Sequence, residues 1–342
     1  MKSVLIYSFT FLILGCTMST NNSITETNNK NSFNPFFEKS KLYMGFPPFD
    51  LIKNEHYLPA FLMGMSKQLD EIDLITNNKE GPTFDNTIVA MEMSGELLGR
   101  VAAVFFALTS ANTNDEMEKI RAEIAPKLSA HSDKILLNPK LFKRVEEVYT
   151  NRESIGLNGE SMLLIERYYI DFVRSGSKLS IKEKDRLKSI NGEISVLQTQ
   201  FSQNVLKEVN ASAVIFDSRK DLDGLSNTAI ESAANEASSR GLNGKYVIAL
   251  KNTSGQPSLS SLKNRSSREK IHKASLSRGS RGGEFDNREI LVNIIKLRSE
   301  KARLMGYNNH AAYTLETQTA QNPQNVNKRL SSLSPKALAN AK

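Results

Sequence analysis

Histidine and cysteine are scarce in this chain of 342 residues, which limits the chemistry it can perform alone. There are four histidines, His56, His131, His272 and His310. None begins the H-E-x-x-H arrangement that places two zinc ligands and a general base on one helix. The single cysteine, Cys16, excludes an internal disulfide. We therefore predict no catalytic residue and no metal ligand in this sequence, and we expect each histidine to be a surface or capping residue.

Other motifs for catalysis or ligand binding are also missing. There is no G-x-S-x-G nucleophile elbow, and Gly244-Lys245 lacks the other residues of a phosphate-binding loop. The segment Asp221–Gly224 resembles part of a calcium loop. However, Arg219 and Ile230 occupy the first and twelfth ligand positions of that loop, which require oxygen ligands.

No apolar run is long enough for an ordinary membrane-spanning helix. The longest, from Val4 to Leu14, follows Lys2 and ends in Ile13-Leu14-Gly15-Cys16. This ending resembles a bacterial lipobox. We therefore predict a signal peptide over residues 1–16 and lipidation of Cys16, with an ordinary secretory signal as the alternative. Residues 17–34, rich in Ser, Thr and Asn, are expected to form a flexible tether. The predicted location is the cell envelope, lipid-anchored to the periplasmic or surface side of a bacterial membrane.

Positive charge is concentrated in one segment. The whole chain carries a formal net charge of +8. Residues 251–303 hold thirteen Lys/Arg and five Asp/Glu, and 13 − 5 = +8 equals the excess of the whole chain. Such a segment suits nucleic acid, acidic lipid or an anionic substrate group, or forms a solvated helix face. Phe285 is its only aromatic residue, so nucleic acid is not favoured as a partner.

The pattern of apolar residues over 35–342 predicts a mainly α-helical fold with one small two-strand β element. The strands are expected at 213–216 and 246–250. Asp85 is the expected cap of the helix over 85–105, and Pro126 is expected to kink or restart the helix over 117–135. The other predicted helices cover 57–74, 139–148, 161–173, 180–209, 227–239, 258–276 and a C-terminal segment from about 330.

The segment from Asp286 to Leu315 has the strongest helical signals. Asp286 and Glu289 have the spacing of a capping box, and Gly306 is suited to end the helix. Between Glu289 and Gly306, apolar residues recur at helical spacing. The expected inner positions are Ile290, Leu291, Ile294, Ile295, Leu297, Ala302, Leu304 and Met305.

The order of several segments along the chain resembles one family, the thimet-oligopeptidase-like zinc metallopeptidases, in their bacterial peptidyl-dipeptidase branch. The similarity runs from about Asn34 to Lys342. One departure is Thr319-Ala320, where Met-Ala is usual in the family. The segments that carry the resemblance are Phe49 to Phe61, Pro82 to Thr87, Leu128 to Phe142, Arg268 to Gly279, Asn287 to Ala302 and Leu304 to Tyr313.

The resemblance implies the helical N-terminal part of a channel-forming oligopeptidase, truncated before its zinc site. It also implies that the complete enzyme uses zinc to release C-terminal dipeptides from short oligopeptides. None of the family's catalytic residues matches a position of this sequence, so we expect the chain alone to be inactive. Two alternatives remain. A separately encoded C-terminal half could supply the zinc site, or the chain could be a non-enzymatic, lipid-anchored protein that binds peptides or polyanions.

Overall fold

The computed structural model describes residues 33–251 and 255–341, which form two compact units. The first unit contains the described residues up to Val196 and those from Ile295 onward, and the second contains Leu197–Ile294. The predicted lipidation site, Cys16, lies outside the described residues. Among the helices within them, none is long and apolar enough to cross a membrane.

The predicted class, mainly α with a small two-strand element, is confirmed. Strands β1 (Val214–Phe216) and β2 (Tyr246–Ile248) are antiparallel, with Ile215 opposite Val247. A π-helical turn covers Phe84–Val89. The α-helices are α1 Asn54–Thr76, α2 Ala90–Glu92, α3 Glu96–Ala111, α4 Asp115–Leu136, α5 Pro139–Thr150, α6 Gly159–Arg174, α7 Ile181–Ala211, α8 Asn227–Ser239, α9 Arg265–Leu276, α10 Arg288–Leu304, α11 His310–Leu315 and α12 Pro323–Ala341.

The first unit has two apolar clusters. In one, α1 packs against α3 and α4, with Tyr57, Phe61 and Phe105 buried and in contact at ring-centroid distances of 5.0 and 5.3 Å. The close approach of α1 and α3 needs glycine at Gly64, where a Cβ would lie 2.9 Å from the backbone of Leu98. The other cluster joins α5, α6 and the π-helical turn.

The second unit has its own small core. Phe216 on β1 and Ile230 on α8 are buried there with Ile271 on α9. Helix α8 packs against β2, and helix α9 contacts β1. The strand pair therefore belongs to a helical unit rather than to a separate β domain.

Local helix signals between residues 83 and 136 act only partly as predicted. Thr83, not Asp85, caps the next helical segment, since its hydroxyl accepts the Asn86 N–H at 3.0 Å. That segment is also interrupted, because Gly95 takes a φ of +73° before α3 begins. Helix α4 continues through Pro126 instead of restarting, with Ile124 and Leu128 buried on either side.

The strongly predicted helix α10 begins at Arg288, so Asp286 and Glu289 do not form the expected capping box. Asp286 instead accepts the Arg288 backbone N–H at 2.9 Å and pairs with its guanidinium. Leu291 and Ile295, predicted on the inner face, are exposed. That face is therefore narrower than expected.

Two further apolar segments are largely exposed. Phe46 and Phe49, the rings that flank Pro47-Pro48, are exposed. Phe36 is the buried ring of this N-terminal segment. Helix α12 forms as expected but buries none of its side chains.

Candidate functional site

The first unit contains a buried polar chain of three residues, which joins α4, α7 and α10. Lys301 donates to Asn191 Oδ1 at 3.1 Å, and the Asn191 amide donates to Asp133 Oδ1 at 2.8 Å. Burial lowers the pKa of Lys301 to about 8, with the charge of Asp133 opposing that shift. Burial also raises the pKa of Asp133. Each ionisable group is therefore shifted toward its neutral form, an arrangement common at functional sites and in structural ion-pair networks.

A second cluster surrounds Arg174 at the end of α6. Its guanidinium donates to the Tyr313 carbonyl at 2.6 Å and to the Tyr307 hydroxyl at 3.2 Å, and it pairs with Glu316. It also lies 4.5 Å from the centre of the Tyr313 ring. The Tyr313 hydroxyl donates back to the Arg174 carbonyl at 3.0 Å. These contacts fix the segment after α10 against the end of α6.

Next to Asp133 the first unit has a cleft of about 550 Å³. Its charged lining includes the carboxylates of Asp73 and Asp133 and the ammonium groups of Lys134, Lys140 and Lys188. Lys188 also pairs with a neighbouring carboxylate on α7 at 3.1 Å. A cleft with both signs of charge can bind a polar or zwitterionic group.

The structure assigns different environments to the four histidines. His56 caps α1 as predicted, because its Nδ1 accepts the Lys53 N–H at 3.0 Å. His272 is exposed, and His310 is partly buried at the start of α11. His131 contradicts the prediction of a surface or capping residue: it is buried, and its Nε2 lies 2.7 Å from a side-chain oxygen on α1.

We tested whether these donors fit the zinc that the family resemblance implies. Within residues 33–251 and 255–341, no group of three or more His, Cys, Asp or Glu side chains could hold a metal ion. One nitrogen of His56 and one of His131 already lie at hydrogen-bond distance from other groups. The donor set of the described chain therefore does not fit a zinc centre, and no catalytic step can be assigned to it.

The basic segment 251–303 is less available to a polyanion than its charge indicates. Within the second unit, Arg281 pairs with Glu208 at 2.7 Å, and Arg288 pairs with Asp286 at 2.7 Å. Lys273 also pairs with a carboxylate one helical turn away. In the first unit Lys301 is buried. These contacts favour the interpretation of a solvated, internally paired surface.

Comparison with known proteins agrees with the resemblance drawn from the sequence. Residues 258–342 match the model of Peptidase family M3. The chain is 39% identical over 293 residues to proteins named dipeptidyl carboxypeptidase from Escherichia coli and Salmonella typhimurium. Each match covers 86% of this chain and 43% of the relative. Oligopeptidase A of Haemophilus influenzae is 29% identical over 286 residues, which is 82% of this chain and 42% of that protein.

The matched relatives are thus more than twice as long as the part that this chain resembles. The family match includes α9 to α12, the region whose motifs carry the strongest resemblance. The chain is therefore similar to dipeptidyl carboxypeptidases over most of its own length, carries a segment that matches Peptidase family M3, and spans less than half the length of the relatives it matches.

Proposed function

We propose that this chain is the N-terminal portion of a zinc metallopeptidase of the peptidyl-dipeptidase type, whose complete form releases C-terminal dipeptides from short peptides. The supporting observation is its 39% identity, over 86% of its length, to proteins named dipeptidyl carboxypeptidase. In the complete enzyme a bound zinc would activate water and polarise the scissile carbonyl. This chain would supply a helical wall that restricts which peptides reach the metal.

By itself the chain is inactive under this proposal. A zinc peptidase needs several protein ligands and an open coordination position, and the described residues do not provide them. The zinc-binding residues would come from a polypeptide corresponding to the unmatched part of the relatives. That polypeptide would either continue this chain or be encoded separately.

The test is hydrolysis of a blocked tetrapeptide by three preparations, each assayed with added zinc. The first is this chain, the second is Escherichia coli dipeptidyl carboxypeptidase, and the third is a chimera in which this chain replaces the matched part of that relative. We expect dipeptide release by the second and third only. Chelator-sensitive hydrolysis by this chain alone would contradict the proposed inactivity. A folded, zinc-loaded chimera without activity would contradict the proposed role of this chain.

A lipid anchor at Cys16 is a separate proposal, based on the lipobox-like sequence Ile13-Leu14-Gly15-Cys16. Several acyl chains would hold the protein at a membrane without a spanning helix. Labelling with a lipid precursor in a bacterial host tests it. We expect label on the wild type and none on Cys16→Ser; label on both, or on neither, would contradict it.

The non-enzymatic alternative has one structural feature in its favour, the cleft beside Asp133 with its two carboxylates and three ammonium groups. Under that alternative, short peptides or polyanions would bind this chain in a salt-sensitive manner. Titration with a tripeptide and with heparin at low and high salt distinguishes the two functions. Replacing Lys134 and Lys140 by Gln would weaken binding in the cleft. Neutralising Lys263 and Lys273, which are exposed, tests the basic segment.

A further inference from the structure

An exposed apolar loop precedes α1 in the first unit. Its large side chains are Leu42, Tyr43, Met44 and Phe46, with relative exposures of 51%, 86%, 83% and 62%. Isolated apolar residues are common on protein surfaces, but several adjacent ones on one loop are typical of an interaction surface. The loop is therefore a candidate interaction surface.

The loop has a defined conformation. The Ser40 hydroxyl donates to the Phe46 carbonyl at 2.5 Å and accepts the Leu42 N–H at 3.2 Å, which closes the loop at its base. At the tip, the Gly45 N–H donates to the Leu42 carbonyl at 2.9 Å. Met44 has a φ of +54°, a left-handed conformation that residues with a Cβ rarely adopt. A non-glycine residue kept in that conformation by surrounding hydrogen bonds is typical of recognition sites.

The base of the loop is fixed to the helical body. Phe36 is buried, and its carbonyl accepts a hydrogen bond from Arg100 at 2.9 Å. Lys39 pairs with Glu96 on α3 at 2.9 Å. The apolar side chains are therefore presented in a fixed position relative to α1 and α3, which lowers the entropy cost of binding a partner.

The charges near the loop argue against a lipid bilayer as that partner. Recognition of anionic lipid typically uses clusters of about four to eight basic residues. Here Lys39 is already paired with Glu96, and Glu38 offsets Lys41. A rigid apolar surface with little net charge suits another protein surface better.

The loop is too small to support a stable complex by itself, because stable protein interfaces bury about 1,200–2,000 Å² in total. The same unit has a second uncovered apolar feature, helix α12, on which Leu330, Leu333 and Leu338 are exposed. The matched part of the dipeptidyl carboxypeptidases is only 43% of their length, so most of each relative has no counterpart here. That unmatched portion is large enough to cover both features.

We propose that the loop Ser40–Phe46 is a docking surface for the zinc-bearing portion of the peptidase, with Tyr43, Met44 and Phe46 as its apolar anchors. This inference rests on the proposed function, because that function defines the partner. It adds the surface through which the partner binds.

Methionine oxidation provides a direct test. Met44 and Met93 have similar exposures, 83% and 74%, so hydrogen peroxide should convert both to sulfoxide at similar rates in this chain. In the chimera with the Escherichia coli relative, we expect Met44 to oxidise about tenfold more slowly relative to Met93, because docking excludes peroxide from it. An unchanged ratio of the two rates, measured by peptide mass spectrometry, would overturn the proposal.

The outcome separates this inference from the proposed function. Protection of Met44 in a chimera without peptidase activity would support docking while contradicting the function. Free oxidation of Met44 in an active chimera would overturn docking alone. In the isolated chain, slower Met44 oxidation with phosphatidylglycerol vesicles, or with rising protein concentration, would overturn the proposal in favour of a membrane or a second copy.

A variant pair extends the test if the chimera folds poorly. The chain and the unmatched part of the relative are co-expressed as separate polypeptides and purified through a tag on the chain. Tyr43→Ser/Phe46→Ser should abolish co-purification and leave the melting temperature of the isolated chain unchanged. The matched control, Leu74→Ser/Met93→Ser, alters two equally exposed apolar residues and should leave co-purification intact. Equal effects of the two double variants, or no effect of either, would overturn the proposal.

Discussion

Lys301 donates a hydrogen bond to Asn191 at 3.1 Å, so a buried ammonium is held by a neutral amide that itself donates to Asp133. The amide satisfies both neighbours but supplies no counter-charge. The nearest ring centre, that of Tyr313, lies 5.8 Å from the Lys301 ammonium. The low pKa of Lys301 follows from this environment, since burial disfavours its charged form more than Asp133 favours it.

This environment predicts that the free energy of unfolding changes with pH in the alkaline range. The pKa of Lys301 is about 8 in the folded chain and 10.5 in the unfolded chain, so the unfolded chain binds more protons between these values. The free energy of unfolding should therefore rise with pH from about 8 to about 10.5, by roughly 3 kcal/mol from this group. Urea unfolding of the wild type and Lys301→Met measures it.

The difference in unfolding free energy between those two proteins isolates the contribution of Lys301 from other groups that titrate in the same range. Lys188→Met is a suitable control, because Lys188 is partly exposed and pairs with Asp185. An equal pH dependence of the two differences would contradict the assignment to Lys301. A pH-independent difference for Lys301→Met would show that the lysine is not forced toward its neutral form.

A second prediction concerns acid. Burial lowers the pKa of His131 to about 4, and the nearby charge of Lys134 adds to the shift. The unfolded chain binds this proton with a pKa of 6.5, so the stability contribution is complete above 6.5 and is lost as the pH falls toward 4. His131→Gln should flatten the decline in stability over this interval, measured by thermal unfolding. His272→Gln, at an exposed histidine, is the matched control, and an equal effect of the two variants would contradict the prediction.

The helical spacing of the sequence places Lys301 on a buried face, but it does not identify the partners of this lysine. Ile294, Leu297 and Lys301 have the spacing of one helical face, and all three are buried. A lysine at such a position predicts either a partner or a long side chain that reaches solvent. The partners lie 110 and 168 residues earlier, at Asn191 and Asp133, so only the folded chain identifies them.

More generally, local patterns predicted the fold class and the order of the helices because most of the long helices bury an apolar face. They were less successful at helix starts. At Asp286 the capping-box spacing is present, but the helix begins two residues later, and Asn287 is buried with its amide donating to the Phe201 carbonyl at 3.1 Å. That long-range contact competes with the local signal.

The cluster around Arg174 predicts a specific loss on a conservative change. Arg174→Lys keeps the charge but removes the planar group that bonds the Tyr313 carbonyl and the Tyr307 hydroxyl at once. We expect a loss of about 1–3 kcal/mol in unfolding free energy, because the partly buried Tyr313 carbonyl and Tyr307 hydroxyl lose a charged donor. Arg186→Lys, at a more exposed arginine paired with Glu300 at 2.7 Å, should cost less than about 1 kcal/mol. Equal losses of unfolding free energy in the two variants would contradict the role assigned to the Arg174 guanidinium.

The contact between α1 and α3 predicts that Gly→Ala has opposite effects on the unfolding free energy at two helical positions. At Gly64 an added Cβ would lie 2.9 Å from the Leu98 backbone, a distance that forces the helices apart. Gly64→Ala should therefore lower the unfolding free energy by about 1–3 kcal/mol through overpacking. At Gly99, also inside a helix, no atom lies within 4 Å of the added Cβ. Gly99→Ala should instead raise stability by about 0.5–1 kcal/mol, because alanine loses less backbone entropy on folding. Chemical denaturation of the two variants checks the pair, and stabilisation by Gly64→Ala would show that α1 and α3 do not approach as closely as described.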